Sequence, residues 1–352
     1  MKTLPRYVHR TVFVSILLVL IVIVSVDVIA AIIDEVGDMK VNYGFNDVLV
    51  YVFTTLPRRI YENIPFSALI GCLVGLGLLA SNSELVVMRG SGISLIRIVG
   101  FVLYPVMLII AFAVVLGEFA VPYTDQLAEG RRAIELGRKD SIKSTGLWSR
   151  ERDEYINVGV VFPNGDIFGI TRYRFDDQNR IEEASYAEKG QFLEDHWQEH
   201  DVVVTRFSNE ATAISNLDSR RWSTDLTPSL MRLVSMEAQS LSMRDLYSYG
   251  NYLESQGQNA GKHRLAFWGK FLQPLTILSL VMIAVSFIFG PLRESTTGLR
   301  IFAGVVTGIV FSTSQDMLGP ASLVYGFAPF WAVLAPVVVS ILFGLLLLKR
   351  AG

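Results

Sequence analysis

Cysteine is almost missing from this chain: Cys72 stands alone among 352 residues. One thiol closes no internal disulfide and builds no Cys-based metal site, and it says little about redox compartment. Histidine is nearly as scarce, with only His9, His196, His200 and His263, and none is placed as in H-E-x-x-H. His196 and His200 lie four apart, but in a strand-like stretch where a solvated pair is the plainer account than a metal site. No G-x-x-x-x-G-K-[ST] or G-x-S-x-G occurs. The chain therefore lacks the usual cradle for ATP phosphates and reads as a non-enzyme by itself.

Charge is scarce at both ends of the sequence. Between Tyr123 and Ala266 lie 18 of the 31 Lys and Arg and 23 of the 33 Asp and Glu. The flanks are left nearly uncharged, as a hydrocarbon surrounding demands. A net charge of −2 without aromatic–basic interleaving argues against a nucleic-acid partner.

Apolar residues are what the chain has in excess. A hydrophobic share of 51% and mean hydropathy of +0.42 are too apolar for a soluble domain. Six runs have the length of a membrane span, about 20 residues. They are Thr11–Ile33, Ile64–Ala80, Ile98–Val121, Phe271–Phe289, Ile301–Leu318 and Pro329–Leu348. The first follows a basic leader (Lys2, Arg6, Arg10) as a signal peptide would, but its length and the lack of a cleavage site predict a retained span. Alternating spans place Lys2, Arg6, Arg10, Arg89, Arg97, Arg293, Arg300, Lys349 and Arg350 on one side, which the positive-inside rule makes cytoplasmic. Both termini are then inside, and the region from Tyr123 to Ala266 is outside.

Phe45, Leu49, Val52, Phe53 and Leu56 recur at helical spacing, predicting an amphipathic helix in the first outer connection. Further on, the grammar changes to strands. Runs at Tyr155–Val161, Ile167–Phe175, Ile181–Leu193, Trp197–Phe207 and Ala211–Trp222 are broken by turn residues at Pro163–Asp166 and Asp176–Asn179. They predict an antiparallel sandwich or open jelly roll. Leu241, Leu246, Tyr249 and Leu253 then form a helical stripe within a pattern running from Pro228 to Gln256. The expected fold is an α-helical membrane protein with six transmembrane helices and an inserted periplasmic all-β jellyroll-like domain. Its parts are 1–122 with spans one to three, 123–266 with the β domain and a helical connector, and 267–352 with spans four to six.

The most informative segment, about 83–93, joins spans two and three: Ser83-Glu-Leu-Val-Val-Met-Arg-Gly-Ser-Gly-Ile93. Glu84, Met88 and Ser91 share one helical face flanked by Leu85 and Ile93, and Gly90 and Gly92 end the helix. Such a helix suits docking into a partner's groove. A plain connector carrying positive-inside bases such as Arg89 has an equal claim on these residues.

This segment resembles the coupling helix of the LptF/LptG permease family, which exports lipopolysaccharide from the inner membrane of bacteria. Leu76–Ala80, Gly117–Pro122, Ser286–Arg293, Gly319-Pro320 and Tyr325-Gly326 extend the resemblance over essentially the whole chain. Within the family, Tyr249–Gln258 and Trp268–Pro274 look more like the LptG branch. The resemblance implies a permease subunit of a transporter of the ATP-binding-cassette class. Its partners would be an LptF-like permease in a heterodimer, two LptB-like ATPases and an LptC-like single-span protein. No cofactor would be bound by this chain, ATP and Mg being used by the ATPase. Glu84, Leu85, Met88, Arg89 and Ser91 would enter the ATPase groove.

Three carboxylates, Asp27, Glu118 and Asp316, fall in or near spans. Intramembrane acids are costly and usually paired, so they suit helix pairing with bases such as Lys40, Arg131 or Lys270 better than contact with a phosphorylated lipid. The phosphates of lipid A would meet Lys40, Arg58, Arg59, Arg131, Arg132, Lys262 and Arg264 at the outer mouth, where guanidinium forks suit phosphate. Interfacial snorkelling accounts for any one of these bases equally well. Some family members carry a base at the outer end of span one, where this chain has Ala30, Ala31, Asp34 and Glu35. A membrane-anchored scaffold or sensor is the rival from another class, although six spans exceed what anchoring needs. A secondary transporter would be expected to show broken spans or inverted repeats, and the sequence suggests neither.

Overall fold

The computed structural model describes residues 3–40, 43–136, 147–151, 153–162, 165–176, 178, 180–208, 211–224, 226–228, 231, 237–255, 258–290 and 295–351. These fall into two compact units. The first comprises Met1–Ala30, Leu56–Ala120 and Ser242–Gly352, the second Ala31–Thr55 and Val121–Leu241. Residues 242–266, the last part of the 123–266 region marked out from sequence, thus group with the spans, and 31–55 group with the strands.

Among the described residues, six helices are long and apolar enough to cross a membrane. In chain order they are α1 (Thr3–Val36), α3 (Leu56–Ser81), α5 (Leu95–Val115, running on through later turns), α8 (Gly261–Phe289), α9 (Thr297–Tyr325) and α10 (Pro329–Ala351). Each contains one of the predicted apolar runs and extends past it, because helical hydrogen bonding continues wherever a helix can be solvated or packed. Between α3 and α5 lies the seven-residue α4 (Glu84–Gly90). After α5 the chain widens into a π-helical turn, Leu116–Ala120, before α6 (Val121–Glu135). A short α7 (Met243–Ser255) precedes α8.

The first unit has one core, in which α3 and α8 are the most enclosed helices. Ile16, Leu69, Leu73, Leu76, Val102, Ile277, Leu280 and Val285 are among its members. Helix association in a bilayer relies on close backbone approach at small residues, and α3 supplies them. A Cβ on Gly71 would come within 2.4 Å of the Ile16 backbone, and one on Gly75 within 3.1 Å of the Ser15 hydroxyl. Gly71→Leu should therefore push α1 off α3. We expect a loss of about 1–3 kcal/mol, read as a lowered melting temperature in detergent, whereas Gly100→Ala, with open space around it, should change nothing.

In the second unit, α2 (Phe45–Thr54) and six strands accompany α6. The predicted amphipathic helix is present, but it buries Val48 and Val52 and leaves Phe45 and Phe53 exposed. The strands are β1 (Leu147–Glu151), β2 (Glu154–Val161), β3 (Ile167–Phe175), β4 (Ile181–Leu193), β5 (His196–Phe207) and β6 (Thr212–Trp222). They pair antiparallel in chain order, an open meander rather than two facing sheets among the described residues. Of the predicted turn residues, Pro163, Asn164, Asp177 and Asn179 lie outside the described residues. One sheet face buries Ile156, Val158, Ile170, Ala187, Val202 and Val204 around Trp197 and Trp222. The same face holds charge. Arg172 on β3 reaches Glu199 on β5 (2.9 Å), and Arg220 on β6 reaches Glu183 on β4 (2.7 Å). Each pair bridges over the strand between. His196 and His200, four residues apart on β5, are separated by roughly 13 Å at the strand rise. That is too far to share one ion.

Candidate functional site

The short α4 segment is built as its sequence suggests. Ser83 ahead of it is in the left-handed region (φ 59°), and Gly92 after it has φ +87°, where a side chain is strained. The amide of Ile93 donates to the Met88 carbonyl and that of Gly92 to Arg89, closing the helix. Leu85 and Met88, with Ile93, are buried in the core of the first unit. A partner would therefore meet the opposite face: Arg89, which the sequence also suggested, with Val86 (55% exposed) and Val87 (68%), which it did not. The Ser91 hydroxyl donates to the Met88 carbonyl at 2.8 Å. Glu84 accepts a hydrogen bond from the Tyr7 hydroxyl of α1 at 3.1 Å. Thus α4 follows α3 after a two-residue turn, is plugged into the core by two apolar side chains, and is tied to α1 through its glutamate.

The bases expected at the outer mouth divide into engaged and open ones. Arg59 donates to Asp27 at 3.0 Å, joining α3 to α1. Arg264 forks onto Glu254 (2.8 Å) and Asn251 (2.6 Å), clamping α7 to α8. In the second unit Arg132 binds Glu35 and Asp38 and lies over the Tyr51 ring, while Tyr43 donates to Glu35. Glu35, near the end of α1, is thus held by Arg132. Burial and the neighbouring Glu35 carboxylate raise the Tyr43 phenol well above its ordinary value. Lys40, Arg131 and Lys262 are exposed, and Arg58 is half-buried.

The three carboxylates are held differently. Asp27 has Arg59. Glu118, in the π turn, accepts the Met243 amide at 2.8 Å, capping the start of α7. Lys270 binds the neighbouring Gly117 carbonyl at 3.2 Å and sits over the Tyr61 ring. Asp316 is exposed on α9 beside the Ser312 hydroxyl (3.3 Å). Among the described residues no cluster of three or more His, Cys, Asp or Glu could hold a metal ion.

Residues 6–350 match the model of the family described as lipopolysaccharide export system permease LptF/LptG. The chain belongs to that family. Its relatives include the lipopolysaccharide export system permease proteins LptG of Escherichia coli K12 and Haemophilus influenzae. The first is 33% identical, covering 99% of this chain and 98% of its own. The second is 31% identical, with 99% of each chain covered. As an LptF/LptG family member with six apolar helices and an inserted antiparallel sheet, the chain is a multi-pass membrane protein.

Proposed function

We propose that this chain is the LptG-type permease subunit of an ATP-driven exporter that lifts lipopolysaccharide out of the bacterial inner membrane and hands it to a periplasmic bridge. What carries the reading is the match over residues 6–350, to relatives named as lipopolysaccharide export permeases, of a chain with no phosphate-cradling motif of its own. The work of extraction is large, about 0.8 kcal/mol for each CH₂ withdrawn from hydrocarbon. It must come from ATP hydrolysed on separate subunits.

In this reading the termini and α4 are cytoplasmic and the β unit periplasmic. Val86, Val87, Glu84 and Arg89 meet an LptB-like ATPase, one of two in the assembly. An LptF-like permease covers the sides of α1 and α9, where Val22, Val26, Ile29, Val310 and Met317 are exposed. The exposed Asp316 supports a partner or a water-filled cavity on that side of α9, since charged groups in spans rarely face lipid. An LptC-like single-span protein completes the complex. Lys40, Arg131 and Lys262 are the bases left open to lipid A phosphates.

The full-length protein should co-purify with a soluble ATPase in stoichiometric amount. Glu84→Ala should lower lipopolysaccharide transport in reconstituted vesicles by about tenfold, in keeping with the size of coupling energies, and leave hydrolysis by the isolated ATPase unchanged. Undiminished transport by this variant would reject the coupling role of α4. Purification without any ATPase would favour a scaffold.

A further inference from the structure

Arg300, which the positive-inside pattern assigns to an ordinary inner loop, is one of the most enclosed charges in the first unit, at 3% exposure. It stands in the first turn of α9, and its Nη1 donates to the Gly77 carbonyl of α3 at 2.8 Å. Gly77 lies one turn before the end of α3, where the helix dipole is negative and favours a cation. The side chain lies flat against the glycine, for a Cβ there would stand 3.1 Å from Nη1 and 3.3 Å from Cδ.

The contact continues along both helices. A Cβ on Gly304 would meet Leu73 at 2.4 Å, and one on Gly308 would meet Phe66 at 2.6 Å. Residues 300, 304 and 308 are successive on one face of α9, and 77, 73 and 66 run the opposite way along α3, so one antiparallel interface joins the two helices. Glycine seats resist compression but do little against sliding. The Arg300 bond fixes the register at Gly77, seven residues before α4 begins.

We propose that Arg300 is the positioning residue that makes the start of α9 move as one piece with α4. Displacement of α4 is thereby passed to α9 through the α3 terminus. The inference rests on the permease reading and adds to it the element that α4 drives. Truncating the side chain removes the bond and leaves a space; α4 would still dock, but its movement would be lost by slippage between α3 and α9.

The test uses the complete complex in vesicles containing lipopolysaccharide, and reads transport per ATP hydrolysed. Arg300→Met should retain ATP hydrolysis and lower that ratio by about tenfold. Arg300→Lys, which keeps a charge and a donor, should recover much of it. Spin labels on Ser81→Cys and Leu299→Cys, both exposed positions at the α3–α9 contact, report the movement directly, the buried Cys72 remaining unlabelled. The distance between them should stay single and narrow when nucleotide is trapped in the unaltered protein, and broaden in Arg300→Met. A normal transport ratio, or an unchanged distance in Arg300→Met, overturns the proposal. Should that variant fail to assemble, Gly77→Ala displaces the guanidinium without removing it; an intermediate ratio supports the role and a normal one overturns it. Glu84→Ala separates the two ideas. If the unaltered complex moves no lipopolysaccharide, the permease reading fails; if Glu84→Ala transports normally, the coupling role of α4 falls; if Glu84→Ala loses transport while Arg300→Met does not, only the role of Arg300 falls.

Discussion

Arg172→Met should loosen the β unit by about 3–5 kcal/mol, the cost of leaving a buried partner charge alone. The stranded partner is Glu199, 1% exposed, which takes a 2.9 Å hydrogen bond from Arg172, itself 4% exposed and lying over the Trp222 ring. Burial raises the Glu199 carboxyl above the ordinary range even against the pull of Arg172. Without the guanidinium it rises further. A carboxyl whose folded value is raised gives relative stability below its ordinary range and loses it as pH climbs through the raised value. The deficit of the variant should therefore be small near pH 4 and grow towards neutrality. Hydrogen exchange of β3 and β5 peptides in the full-length protein reads this directly. At neutral pH protection should fall by roughly two to four orders of magnitude, and Arg172→Met with Glu199→Leu should restore it. A single variant that stays within about 0.5 kcal/mol of the parent would show that the pair is not buried as described.

Glu183 gives the opposite sign from the same sheet. Burial would raise it, but hydrogen bonds from Arg220 and Arg206 outweigh burial and hold it below the ordinary range. Its contribution is present above that range and is lost as pH falls through the lowered value. One face thus carries two carboxylates with opposed pH responses. A variant of Arg220 should weaken the sheet's resistance to acid in particular.

The sequence made the spans and most strands readable because their physics is local. A bilayer requires about 20 contiguous apolar residues, and every predicted run lies in a helix of the first unit or its continuation. The strand-like run Ile181–Leu193 coincides with β4 to the residue. By contrast β1, Leu147–Glu151, carries only Leu147 and Trp148 as apolar residues and exists by pairing with β2. The π turn at Leu116–Ala120 has no pattern of its own; Gly117 beside Tyr61 and the bond from Lys270 become visible only in three dimensions. Glu84 and Gly92 were legible because helix-end chemistry is local, whereas the inward turn of Leu85 and Met88 depends on the core they join. The burial of Arg300 against α3 was hidden from the sequence for the same reason. Composition gives a charge its side of the membrane but not its partner.

Arg59→Leu should cost about 3 kcal/mol, because Asp27 on α1 would be left in a span without its counter-charge. The 3.0 Å pair joins the C-terminal half of α1 to the start of α3, and Arg59 Nε is buried without a hydrogen-bond partner in the structure. The Arg59 side chain keeps 16% exposure, so phosphate contact and helix pairing are separable roles. Thermal unfolding in detergent measures the first effect, and transport in vesicles measures the second. Exchanging the charges, Asp27→Arg with Arg59→Asp, restores an ion pair between the same helices but moves the cation from α3 to α1. If pairing is the whole role, the exchanged protein should recover both stability and export. Recovery of stability with export still reduced by about tenfold or more, the loss of a charge-assisted phosphate contact of roughly 1.5–3 kcal/mol, would assign Arg59 to the lipid as well. A single Arg59→Leu variant as stable as the parent would remove the pair from any account of how α1 is held.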